Sequence, residues 1–214
     1  MKRIFYLPLV LLALSGCISL KSDYPEINYY RLNQEPGSFT NIGTLNGTLE
    51  IRNFTTSREY DTEHLLAVWE DTKLQKYYYH RWVTPCPELL TDFFVNRFIQ
   101  LNVFTGGTVK SNTILVPDFI MEGQIIEMLA HNSKKDDAGS NYVLISVQIN
   151  IVQREPLKSE KNIILNKLYT ISFPRPNSEV TNIPPAFSKA LSQLVDKLMV
   201  DVYEVLPNYQ NKPK

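Results

Sequence analysis

His64, His80 and His131, the cysteines Cys17 and Cys86, and the acidic pair Asp136-Asp137 are the residues whose types could carry out chemistry in this chain. A helical zinc site needs two histidines four residues apart on one face, and no two of these three have that spacing. No serine sits in a Gly-x-Ser-x-Gly elbow, and no glycine-rich loop matches a phosphate cradle. Cys86 stands beside a helix start, where a thiol pKa can fall, but no histidine motif accompanies it, and a free cysteine more commonly packs as a small hydrophobe. Asp136-Asp137 follows Lys134-Lys135 in a polar stretch and reads as a solvated hairpin tip, since a catalytic carboxylate needs a pocket and a shifted pKa. The expectation is no catalytic residue, no metal ligand set and no cofactor: this is not the sequence of an enzyme.

Cys17 is a different case, because its chemistry is set by what precedes it. Lys2 and Arg3 form a positive start, Ile4 to Leu14 an apolar run, and Leu14-Ser15-Gly16-Cys17 resembles a bacterial lipobox, where small residues admit the signal peptidase to the bond before an acylated cysteine. The apolar run is shorter than the roughly 20 residues that cross a bilayer. An ordinary secretory signal or an uncleaved anchor is the competing reading of the same stretch. Residues 1–16 are therefore expected to be a lipoprotein signal peptide, and Cys17 the lipidated first residue of a mature protein held on the membrane by its acyl chains. Each buried methylene contributes about 0.8 kcal/mol, so two or three chains anchor stably. Ile18, not aspartate, follows the cysteine; in bacteria that sort by this position it points to the periplasmic face of the outer membrane. Residues 17–28 lack periodicity and form a tether that reaches at most about 35 Å.

The 214 residues carry 22 basic and 22 acidic side chains. Losing Lys2 and Arg3 with the leader leaves 20 basic against 22 acidic, and no basic stripe remains, which excludes nucleic acid as a partner. Only two cysteines and 43% hydrophobic residues indicate a domain with its own core and no disulfide framework.

The elements follow from periodicity. Thr48 to Phe54 alternates as an early strand, with Leu49 and Ile51 on one face and Phe54 on the other. Leu65 to Trp69 and Leu74 to Tyr79 suit a hairpin. Pro87 fits the first position of a helix striped by Leu90, Phe94, Phe98 and Leu101, which Gly106-Gly107 should end. Asp118–Leu129, Tyr142–Gln153 and Ile163–Phe173 read as three long antiparallel strands, and Val143, Ile145, Val147, Ile149 and Ile151 share one face opposite Ser146, Gln148 and Asn150. A second amphipathic helix starts at Pro184-Pro185 and should stop at Pro207, leaving residues 207–214 as a flexible tail. The sum is an α+β domain over residues 29–206: a mostly antiparallel sheet with two amphipathic helices packed on one face.

Tyr79, Arg81 and Trp82 lie where the second hairpin strand leads into the first helix. Trp82 either packs over the helix start, with Arg81 bonding to open carbonyls, or joins Arg81 and an outward tyrosine as a partner surface, for which these residue types are favoured anchors. Tyr77, Tyr78 and Tyr79 alternate, so at least one ring must face away from the others.

These landmarks in their order resemble the ABC-type transport auxiliary lipoproteins of the paraquat-inducible protein C type: the lipobox, Tyr29-Tyr30-Arg31-Leu32, Tyr79-His80-Arg81-Trp82-Val83-Thr84-Pro85 before Leu89-Leu90, the run Phe119 to Ile125, and Ala190-Leu191-Ser192-Gln193-Leu194. The resemblance spans nearly the whole mature chain. It implies a periplasmic accessory lipoprotein of a lipid transport system linking inner and outer membranes, with an MCE-domain component and its ABC permease and ATPase as partners. A lipoprotein that itself binds a lipid or small ligand is the alternative. Cys86, after Pro85, departs from the pattern, which leads one to expect a proline or a polar residue there.

Overall fold

The computed structural model describes residues 25–35, 39, 43–69, 72–111, 114–134, 140–154 and 162–210. Cys17, the leader, most of the tether, Asp136-Asp137 and residues 211–214 lie outside them.

Among the described residues nine strands form one sheet: β1 (Asn28–Tyr30), β2 (Leu49–Ile51), β3 (Thr55–Thr56), β4 (His64–Trp69), β5 (Lys73–Trp82), β6 (Thr108–Lys110), β7 (Phe119–Asn132), β8 (Tyr142–Gln153) and β9 (Asn162–Pro174). Helix α1 (Cys86–Gln100) follows β5, and α2 (Ile183–Gln210) closes the chain. The three long strands make the antiparallel meander β7-β8-β9. The other edge of β7 is shared in turn by β2, β3 and β4, all parallel to it. Outside β2 lies β6, and outside β4 come β5 and then β1, so two short branches leave β7 at its two ends. The architecture is α+β, mixed but mostly antiparallel, with two helices.

One buried cluster joins both helices to one face of the sheet. On β8 the five alternating aliphatics are almost inaccessible to solvent, as the period requires. On β7 a bulge at Ile126 turns that side chain outward and returns Met128 and Ala130 to the core face, so the apolar period is kept by inserting one residue. On β8 the opposite face is polar but not uniformly wet, with Ser146 buried beside Thr170, 2.9 Å away, and Gln148 donating to Asn166 at 2.8 Å, while on β4 and β7 that face buries Leu66 and Leu129 against Tyr60.

Several boundaries differ from expectation. Alternation breaks after Ile51, and Phe54 turns into the core instead of opposing Leu49 and Ile51; its ring lies 4.8 Å from that of Phe94, and its N–H donates to Thr91 Oγ1 at 2.9 Å. Gly123 makes room for that ring, since a Cβ there would sit 2.5 Å from it. Pro87 takes the second position of α1, after Cys86. That helix ends not at the glycine pair but at Leu101 and Asn102, whose φ of 48° is the left-handed conformation asparagine tolerates. Pro207 does not stop α2: so near the end it forfeits only the bond to the Tyr203 carbonyl, and fully buried Leu206 holds the last turns in helix.

After β1 the chain runs across the two helices. Gln34 Nε2 donates to Phe93 O at 2.9 Å, and the Asn33 N–H to Ser188 Oγ at 3.0 Å. Further along, the Phe39 N–H meets Asp196 Oδ2 at 3.2 Å, and Tyr203 donates to Gly43 O at 2.5 Å. Beneath this strap the buried Arg97–Asp196 pair, 3.4 Å apart, ties α1 to α2.

Candidate functional site

The residues nominated from sequence gather at the β1/β5 edge, though not all as expected. Strand β5 is longer than β4 can match: His64 pairs with Arg81 and Leu65 with Tyr77, so Tyr78, Tyr79 and His80 have no opposite number. That bulge breaks alternation. Tyr78 and Tyr79 are both exposed, at 64% and 48%, while Tyr77 leans on the core and its hydroxyl accepts from Asn132 Nδ2 at 3.2 Å. Tyr29 of β1 lies opposite Arg81, which lies opposite His64, so the three stand in a row across three strands. Arg81 is half-buried, and its Nε donates to Tyr78 O at 3.1 Å; the rings of Tyr78 and His64 meet edge-on at 5.4 Å.

Trp82 leaves this surface. It is 2% exposed, and its indole meets Phe187 of α2 at 6.0 Å between ring centroids. As a partner contact it is withdrawn, because strand alternation points it to the core while Arg81 stays on the outer face. The packing reading holds, with Phe187 of α2 as a neighbour. In its place come Tyr29, 58% exposed, and Val83, 50% exposed. Reading Tyr29 as a paired strand residue beside Arg81 required the parallel β1/β5 register, which no local pattern encodes.

The histidines have separate duties. His64 Nδ1 lies 3.1 Å from Tyr77 O, His80 Nδ1 lies 2.9 Å from the Tyr30 hydroxyl, and His131 stacks on Tyr142 at 4.4 Å with Glu127 3.5 Å away. Among the described residues no group of three metal-binding side chains comes together. Burial pushes the Cys86 thiol up to about 12, with the charge of Asp61 adding to it, so it is neutral and inert at ordinary pH despite its place at a helix start. The helix dipole loses here because desolvation of a thiolate is the larger effect.

Two further surfaces had no signal that sequence reading picked up. The loop between β6 and β7 presents Ile114, Leu115 and Val116 at 100%, 52% and 72% exposure, three consecutive aliphatics on the surface. At the end of α1, a cleft of about 220 Å³ is lined by Phe98, Val103, Phe104, Asn102 and Thr108 among others. Among the described residues no helix is long and apolar enough to cross a membrane.

No family model matches the sequence, and no curated protein does. Solved structures do share the fold. A Xanthomonas campestris protein of the DUF330 family superimposes with a TM-score of 0.69 at 14% identity, over 86% of this chain and 98% of its own. An uncharacterized protein gives a TM-score of 0.60 at 12% identity, over 83% of this chain and 99% of its own. At such identities the likeness is one of fold.

Proposed function

We propose that this protein is a membrane-anchored accessory lipoprotein of an ABC/MCE-type lipid transport system, held at the periplasmic face of the outer membrane by acylated Cys17 and acting by docking to the MCE component. One coincidence carries the reading: a lipobox at Cys17 precedes a domain that shares its fold with a DUF330 protein over nearly that protein's full length. The role is non-catalytic. Anchoring confines the domain near its partner and raises its effective concentration there, so modest contacts suffice. The exposed Ile114–Val116 loop supplies such a contact, because three adjacent aliphatics in water gain by burial against a partner.

Purification of the lipidated protein from its own membranes tests this. An MCE-domain protein should co-purify, and the double variant Ile114→Asp/Leu115→Asp should lose it while remaining in the membrane fraction. Cys17→Ser should release the protein from membranes. Replacing His64, His80, His131 or Cys86 singly should leave transport intact in protein that accumulates normally; loss of activity from any one of them would revive an enzymatic role. The apolar cleft of about 220 Å³ favours a second reading, a lipoprotein that itself binds a lipid or small ligand. Stoichiometric lipid in the isolated protein, with no MCE-type partner recovered, would decide for it.

A further inference from the structure

The aromatic edge is where the chain enters the domain. Asn28 opens β1, and Cys17 stands eleven residues before it, so the edge lies within about 35 Å of whatever holds Cys17. Around that point four large apolar side chains face solvent: Tyr29, Tyr78 and Tyr79 at 58%, 64% and 48%, and Val83 at 50%. Ile27, at 38%, adds a fifth on the incoming chain. The parallel register sets Tyr29 beside Arg81, and the Val83 N–H donates to Tyr30 O at 2.9 Å, so β1 and the end of β5 form one continuous surface. Exposed Arg31 and Lys76 flank it, against Glu26 and half-buried Glu63. Tyrosine has an apolar ring with a polar tip, the combination that settles at the headgroup level of a bilayer, and arginine and lysine can lay their stems along apolar surface with their charges in water.

The geometry points to this edge as a membrane seat: Tyr29, Tyr78, Tyr79 and Val83 rest in the headgroup region of the bilayer that carries the lipid anchor, so the domain is oriented by its own surface and not only tied by its tether. The inference rests on the reading of Cys17 as lipidated. It also assigns Tyr79 and Arg81, nominated from sequence as protein contacts, to lipid. The Ile114–Val116 loop meets the sheet at another level. Following the register from Arg81 through His64 places the edge level with about Glu127 on β7, whereas the loop joins β7 at Phe119, roughly 25 Å away at ~3.3 Å per residue.

The test uses the mature lipidated protein in vesicles of phosphatidylethanolamine and phosphatidylglycerol. The variants Tyr29→Cys, Tyr78→Cys and, as a control, Ile114→Cys are labelled with a polarity-sensitive dye; Cys86 is buried and Cys17 acylated, so neither takes label. Emission should shift to the blue at positions 29 and 78 and stay water-like at 114. In unlabelled native protein, amide exchange at 27–31 and 78–83 should slow on vesicles relative to detergent. Protein that floats with vesicles but shows neither change overturns the seat while leaving the anchor intact. A shift at 29 and 78 that appears only when an MCE-domain protein is added also overturns it, in favour of a protein interface. Protein that does not float at all refutes the anchoring reading itself, and the seat falls with it.

Discussion

Two branches leave opposite ends of β7, and both bring aromatic rings to the sheet, yet they end in opposite environments. On the β2/β3 branch, Phe54 is driven under α1, where it meets Phe94 and fills the space that Gly123 leaves open. On the β4/β5/β1 branch, Tyr29, Tyr78 and Tyr79 stay in solvent, while Trp82 turns in to α2 and Tyr30 and Tyr77 lean on the core. The difference lies in what covers them. Burial of an aromatic depends on a second layer, and the helices cover one face only; at the β5 bulge Tyr78 meets the edge of the His64 ring at 5.4 Å and stays 64% exposed. Aromatic content therefore packs into the core on one branch and is divided between core and solvent on the other.

That contrast is open to direct attack, and the largest effect should come from the helix layer itself. Asp196→Ala leaves Arg97 charged and buried without its partner, and should cost about 3–5 kcal/mol in urea denaturation. A loss under 1 kcal/mol would mean that the strap and the helices hold without the pair. Gly123→Ala comes next: its Cβ would collide with the Phe54 ring, and overpacking of this kind costs about 1–3 kcal/mol, with Phe54→Leu in the same chain expected to recover part of it.

Asp201 tests the sheet-to-helix contact at the other edge, with a smaller effect. Burial alone would raise its carboxyl, but hydrogen bonds from Lys167 at 2.8 Å and Tyr169 at 2.5 Å, with the charge of Lys167, bring it below the ordinary value. A depressed folded pKa contributes stability that is complete above the unfolded value near pH 4 and is lost as pH falls through the folded one. Asp201→Asn should cost about 1 kcal/mol at neutral pH, discounted because Lys167 is half exposed, and should flatten the acid limb of the stability profile. An unchanged acid limb would show that the contact adds nothing.

Smallest of all should be Tyr29→Ser/Tyr78→Ser, which removes two exposed rings and should leave stability within about 0.5 kcal/mol of the native protein. If that double variant instead melts like Gly123→Ala, the aromatic edge is part of the core and the contrast between the branches collapses.

The sequence by itself determined the long periodic elements and the faces they bury. The strict alternation of Val143 to Ile151, the three- and four-residue recurrence of Leu90, Phe94 and Phe98, and the stripe from Phe187 to Leu206 name their elements and buried faces, because side-chain direction in a strand or helix is set by spacing alone. What only the tertiary structure decided is whatever depends on a partner distant in sequence. Phe54 faces inward because Gly123, far along the chain, leaves it room. Tyr78 and Tyr79 are both exposed because β5 bulges against β4, and Tyr29 joins Arg81 because β1 returns parallel to β5. Cys86 is inert because the core buries its thiol more strongly than a helix start can ionise it. Register, bulges and desolvation are set by long-range contacts, and a local pattern carries no term for them.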